Sequence, residues 1–252
     1  LEAWFVSDIH LKNLKERNGE ILLRFLHFLL NKTNSEESQP THLFLLGDIF
    51  DLWLSSHRAF SEPFMDFIKP IEQLVQRGVK VIYFEGNHDM HIKEFWQSMG
   101  VEVYEEPQYI QLQDKVFRLE HGDLINPDDI SYEKYRRFAR HPLTEWAVHH
   151  LPGRFWKFVG ENLSKQSRKH SGAFRKNYEQ LLIKMVREHA ERVFQEKPFD
   201  YVISGHLHVR DDFEKTILNH KIRSINLGSW FDATQALKYN GDFEWVELTE
   251  IK

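Results

Sequence analysis

The chain has 252 residues, 41% hydrophobic and 28% charged, with a net charge of −5 and no cysteine. That size and mix suit a globular protein with a sizeable core, and they exclude disulfides and thiolate metal sites. No run approaches the ~18 apolar residues of a membrane-spanning helix. The opening Leu1-Glu2-Ala3-Trp4 shows no basic stretch leading into a long apolar region, so no secretory signal is visible and a cytoplasmic location is expected.

In chain order, residues 3–7 read as a short buried strand and residues 20–31 as a helix with a wide apolar face. A polar loop ending at Pro40 leads into an apolar strand, THLFLLGD. Residues 61–77 read as a helix capped by Gly78, VKVIYFEGN as a third strand, residues 92–99 as a short helix and VEVYEEP as a return to strand. QYIQLQDKVFRLEHGD has hairpin character, with the turn expected at Asp114-Lys115. Residues 131–196 are expected to be largely helical. DYVISGHLH reads as another strand, and KIRSINLGSW and FEWVELTEI close a β-rich end. Strands alternating with helices, followed by paired strands, imply a mixed β core covered by helices, with the helical block inserted into it.

Five apolar runs end in the same manner. Ser7-Asp8-Ile9-His10, Gly47-Asp48, Gly86-Asn87-His88-Asp89, His121-Gly122-Asp123 and Gly205-His206-Leu207-His208 each place carboxylate, imidazole or amide groups just past a strand. This donor mix suits Mn, Fe or Zn better than Ca or Mg, which favour all-oxygen shells. Asp8 and His10, like His206 and His208, stand at i and i+2, on one face of an extended segment. Each cluster alone is an ordinary turn or cap; five in succession are not. The other ten histidines have no such spacing; His149-His150 is the only adjacent pair among them.

The order D-x-H, G-D, G-N-H-D, H-G-D, G-H-x-H, spanning residues 8 to 208, resembles the five-block signature of the calcineurin-like metallophosphoesterases. The resemblance implies one domain over residues 1–252: a four-layer αββα sandwich of two mixed sheets flanked by helices, with a helical lid inserted at about 127–196. It implies two divalent metal ions, Mn²⁺ by family with Fe or Zn as alternatives. Asp8, His10, Asp48 and His208 would hold the first, and Asp48, Asn87, His121 and His206 the second, with Asp48 bridging. His88 would act on the phosphoryl group or leaving group. Asp89 would either orient His88 or simply cap the turn.

The chain is also similar to one branch of that family, the UDP-2,3-diacylglucosamine hydrolases, in GDIFDLW at 47–53, in HGD followed by Asp128, Asp129 and Tyr132, and in SKQSRK at 164–169. By that resemblance the substrate is a nucleotide-linked lipid precursor. Asp129 and Tyr132 would approach its glucosamine and acyl region, and Lys165 and Arg168 its phosphate. One departure stands out: the best-known members of the branch carry Arg where this chain has His88, which keeps another nucleotide or phosphodiester substrate as the alternative. Residues 131–176 hold 11 Lys/Arg against 3 Asp/Glu, or +8, leaving −13 elsewhere. Mixed with aromatics, that local field implies peripheral contact with an anionic membrane rather than a nucleic-acid track. A scaffold without hydrolytic activity would be expected to have lost ligands, and here all are present.

Overall fold

The computed structural model describes residues 1–35 and 39–251, the side chains of 157–177 excepted. The first half alternates β1 (Ala3–Val6), α1 (Arg17–Lys32), β2 (His42–Leu45), the short β3 (Trp53–Leu54), the one-turn α2 (Arg58–Ser61), α3 (Met65–Gln76) and β4 (Lys80–Phe84). Then come β5 (Asp89–Met90), α4 (Lys93–Gln97), β6 (Glu102–Tyr104) and the hairpin of β7 (Gln108–Leu112) and β8 (Lys115–Leu119). Three helices follow: α5 (Ile130–Ala139), α6 (Pro142–His150) and α7 (Gly153–Glu196). The chain closes with β9 (Tyr201–Ser204), β10 (Arg210–Ile217), β11 (His220–Leu227), β12 (Gln235–Tyr239) and β13 (Phe243–Glu247).

Two mixed sheets result. One has the order β13-β12-β1-β2-β4-β6, the other β10-β11-β9-β8-β7. In the first, β1, β2, β4 and β6 run parallel and the last two strands antiparallel. In the second, β8, β9 and β11 run parallel, edged by antiparallel β7 and β10. Strand side chains alternate between faces, so each strand of the first sheet feeds two cores. Ala3, Phe5, Phe44, Ile82 and Phe84 meet Leu112, Phe117, Leu119, Ile203 and Ile225 between the sheets. Trp4, Val6, Leu43, Leu45, Val81 and Tyr83 face the apolar stripes of α1 and α3 on the other side. Across the molecule, Ala190, Val193 and Phe194 of α7 cover Val202 and Ile222 of the second sheet. The layers are therefore helix, sheet, sheet, helix, as the family resemblance implies.

Several boundaries differ from the sequence pattern for local reasons. The helix expected over 61–77 is split by a 3₁₀ turn at Glu62–Phe64. It does end at Gly78, whose φ is +86° and whose N–H donates to Val75 O while Val79 N–H donates to Leu74 O, the paired bonds of a glycine-terminated helix. The β7–β8 turn sits at Gln113-Asp114, one residue before the expected place, with Gln113 at φ +57° and Lys115 already in its strand. Strands β10 and β12 were not foreseen. β10 is an edge strand, largely exposed, so its sequence RDDFEKTI has little apolar alternation. Its hairpin to β11 turns through Leu218-Asn219, both at positive φ, without the glycine that usually announces such a turn. No described helix is long and apolar enough to cross a membrane.

Candidate metal centre

Parallel strands deliver their carboxyl ends to one edge. β1, β2 and β4 of the first sheet and β8 and β9 of the second each run into one of the five polar clusters, and open α/β sheets gather ligands at that edge. The backbone there is unusual. Asp8, His10, Asp48, His206 and His208 all adopt positive φ, between +51° and +70°. A non-glycine residue in that region carries a cost on the order of 1 kcal/mol or more, tolerated where surroundings over-determine it. The surroundings are visible: Asp8 N–H donates to Gly47 O and His10 N–H to Asp48 O, stitching the first two loops together. Two glycines permit the approach of the others. A Cβ on Gly86 would lie 2.2 Å from Asp48 Oδ1, and one on Gly205 2.2 Å from Asp8 Oδ2.

The donor atoms fall into two groups sharing a centre. Asp8, His10 and His208 offer ligand atoms all within 4.8 Å of one another, as do Asp48, His121 and His206. In the first group His10 Nε2 and His208 Nε2 face each other at 3.0 Å, with Asp8 Oδ1 3.2 Å from His208 Nε2. That buried oxygen has no hydrogen-bond partner. In the second, His206 Nδ1 lies 3.2 Å and Asn87 Oδ1 3.3 Å from His121 Nε2. The two groups meet on one atom: Asp48 Oδ2 stands 3.8 Å from His10 Nε2 and 3.6 Å from His121 Nε2. Lone pairs crowded together, with a buried carboxylate oxygen left unsatisfied, fit a pair of cations and little else. All seven residues expected as ligands therefore converge.

The electrostatics agree. Burial drives the His10 imidazole down to about 3 and that of His206 down to about 4, so both are neutral donors near pH 7. Burial works to raise Asp48, but His121, His88, His10 and His206 more than offset it and hold the carboxylate ionised. His121 is the exception: burial opposes its charge, yet Asp48 and Asp8 push it up to about 9. Its Nδ1 lies 2.8 Å from Leu46 O, so Nδ1–H donates there and Nε2 is the nitrogen that must lose its proton to take a metal.

Asp89 does not orient His88. Its buried carboxylate accepts from Asp48 N–H (3.0 Å), Ile49 N–H (2.8 Å), Gly86 N–H (2.7 Å) and the Tyr83 hydroxyl (2.7 Å). It joins the 86–89 turn to the 48–49 loop, which is capping extended across two strands. We expect Asp89→Leu to leave three amides and a hydroxyl without an acceptor and to cost at least about 3 kcal/mol of stability; an unchanged midpoint in urea denaturation would falsify this. The residue that meets His88 is Asp51, whose carbonyl oxygen lies 2.9 Å from His88 Nδ1. The Asp51 carboxylate also forms a cluster with His10 and His88 within 4.8 Å. In the sequence Asp51 stands only within the GDIFDLW stretch, and nothing in its spacing points to His88, 37 residues away.

The expected substrate residues separate. Tyr132 reaches the centre: its hydroxyl donates to Asp123 Oδ2 at 2.8 Å, and its ring lies 5.7 Å from that of His206. Asp129 is exposed, and its carboxylate is engaged as the N-cap of α5, accepting from Tyr132 N–H at 2.8 Å. The side chains of Lys165 and Arg168 lie outside the described residues. Two of the basic residues counted in the sequence are half-buried in ion pairs: Arg136 with Asp123 and Glu106, and Arg140 with Glu85 and Glu105. These pairs pin one stripe of α5 to the loops that carry Asn87 and His121. His149 and His150 line a cleft of about 590 Å³ with Trp146, His57 and Glu94, and do not join the metal groups.

A model of the family described as calcineurin-like phosphoesterase matches residues 1–210. Similar curated proteins include a UDP-2,3-diacylglucosamine hydrolase of Aliivibrio fischeri (strain MJ11), 28% identical over 251 residues and covering 98% of each chain. Another, of the same name, from Coxiella burnetii (strain RSA 331 / Henzerling II), is 29% identical over 243 residues and covers 95% of each. A solved structure described as a novel archaeal phosphodiesterase is 14% identical, covers 98% of this chain and 99% of its own, and has a TM-score of 0.49.

Proposed function

The chain belongs to the calcineurin-like phosphoesterase family, and from that premise we propose that it hydrolyses the pyrophosphate bond of UDP-2,3-diacylglucosamine or a related nucleotide-linked lipid precursor, giving UMP and a lipid monophosphate. It is a metal-dependent hydrolase of phosphoester bonds. The observation that carries the chemistry is the single Asp48 oxygen shared between the two donor groups. Asp8, His10, Asp48, Asn87, His121, His206 and His208 would hold a pair of divalent cations, which would supply an activated water and charge neutralisation at the phosphoryl group. Mn²⁺ is the ion we favour on family grounds, with Fe or Zn compatible with the same nitrogen and oxygen donors.

The remaining work falls to the chain itself. Asp8, His10 and His208 would hold one ion, Asn87, His121 and His206 the other, and Asp48 both. His88 donates Nδ1–H to the Asp51 carbonyl, so it is as the imidazolium that its Nε2–H would bind a phosphoryl oxygen or pass a proton to the departing phosphate. In the net reaction water oxygen bonds to phosphorus, the P–O bond to the leaving phosphate breaks with its electron pair, and one proton is released or passed to that phosphate. Support for the lipid-linked substrate comes from relatives of that name matched over nearly their full length, and from Tyr132 beside His206 at the mouth of the helical segment. Asp129 would act there through its hold on α5, and Lys165 and Arg168 would meet phosphate.

Peripheral membrane contact forms part of this proposal. Ile130, Phe138, Leu143, Trp146 and Phe155 are exposed on α5, α6 and the start of α7, among Lys134, Arg137 and Arg154, an apolar and cationic surface of the kind that adsorbs to anionic lipid. The alternative, a phosphoesterase of different substrate, draws on His88 itself. With UDP-2,3-diacylglucosamine, we expect UMP release that requires Mn²⁺ and stops on addition of EDTA. Metal-dependent cleavage of an aryl phosphodiester without UMP release would sink the lipid-precursor reading and keep the alternative.

A further inference from the structure

The two flanks of the centre are lined by different chemistry. On the His206 side stand Tyr132 and the helical segment assigned above to the lipid half of the substrate. On the His208 side lies the loop after β11, residues 228–233. It is fixed against the first donor group: Trp230 N–H and the Ser229 hydroxyl both donate to Asp8 O, and Phe231 N–H donates to Ser229 Oγ. That anchoring holds Phe231 flat over His10, with ring centroids 5.4 Å apart and planes 10° from parallel, and 6.0 Å from the His208 ring. Yet Phe231 is 53% exposed. A large aromatic ring held rigidly at a metal centre, one face on a ligand and much of its surface open, is a stacking platform.

Beside it is a cleft of about 300 Å³, lined among others by His208, Arg210, Ser229, Asp232 and Glu179. Arg210 is held in place without any ligand, bonding Gln235 and lying 4.3 Å from the Trp245 ring centre. Charged and hydrogen-bonding side chains stand on its walls. Two carboxylates against one guanidinium disfavour a second phosphate. A neutral group rich in hydrogen-bond donors and acceptors, with a planar π-face, suits it.

We infer that this loop and cleft form the nucleoside subsite, with Phe231 stacking the pyrimidine base and the polar cleft taking the ribose. The assignment rests on the substrate class proposed above and adds where the nucleotide half lies: the substrate spans the centre, lipid half towards Tyr132 and nucleoside half towards Phe231.

The test is calorimetric titration of the Mn²⁺-loaded full chain with UMP and, separately, with inorganic phosphate, for the parent, Phe231→Ala and Phe231→Trp. Phosphate probes the metals alone; UMP adds the nucleoside. Expected is tighter binding of UMP than of phosphate, weakened about tenfold or more by Phe231→Ala, the scale of one lost base–aromatic stack. Phosphate affinity stays as it was, and Trp restores UMP binding. UMP binding no tighter than phosphate, or unaffected by Phe231→Ala, overturns the subsite. Failure of the substrate reading is seen separately, as absence of UMP release from UDP-2,3-diacylglucosamine by the parent chain.

Discussion

Asp48→Ala is expected to abolish turnover, by more than about 10³-fold, and to lower bound divalent metal to less than one ion per chain. The size of the effect follows from the position of one atom. Asp48 Oδ2 lies 3.8 Å from His10 Nε2 and 3.6 Å from His121 Nε2, so its loss removes a donor from both groups together. Losing even one group that stabilises charge in a transition state costs about 10²–10³-fold, and here the alignment of two ions fails as well. The other carboxylate oxygen matters too: Asp48 Oδ1 accepts the His88 N–H at 2.9 Å, so the substitution also releases the turn that carries Asn87. Elemental analysis of the purified variant, beside a hydrolysis assay with added Mn²⁺, measures both effects. Two bound ions with normal turnover would remove Asp48 from its bridging role.

His88→Ala is expected to behave differently, keeping both ions while losing rate by about 10²–10⁴-fold, the range for a positioned acid or base. His88 stands next to the ligand Asn87 in sequence, but its imidazole is directed to the Asp51 carbonyl and packs edge-on to His10 at 4.9 Å. The backbone bonds of the turn, His88 N–H to Asp48 and Trp53 N–H to His88 O, survive truncation of the side chain. Metal content should therefore be unchanged and the loss confined to kcat. A drop in metal stoichiometry would make His88 a ligand; an unchanged kcat would leave it without a chemical role. His88→Arg tests whether a fixed cation suffices there.

The five polar clusters were legible because they interrupt a simple pattern. An apolar strand that stops at Gly-Asn-His-Asp or Gly-His-Leu-His spends groups that are costly to desolvate where a turn needs none of them. A mixed β core covered by helices was legible too, since apolar strands alternated with amphipathic helices and were followed by paired strands. Edge strand β10 was not, because a largely exposed strand leaves no apolar alternation to read.

What the sequence by itself determined was five polar clusters at strand ends and a mixed β core covered by helices, which are properties of residue type, order and period. The choice of Asp8, His10, Asp48, Asn87, His121, His206 and His208 as candidate ligands, and the four-layer arrangement, came from the family resemblance those clusters carry. Only the tertiary structure decided partnership. His10 and His208 stand 198 residues apart and face each other at 3.0 Å. Asp89 braces the 48–49 loop, and Asp51 takes the place beside His88. Arg136 and Arg140 are half-buried and tied to Asp123 and Glu85 rather than offered freely to solvent. Phe231 emerged as a platform only once the loop anchored on Asp8 had laid it over His10. Local chemistry is written in the order of residues, whereas contacts between distant segments depend on how two sheets pack and at which edge their strands end.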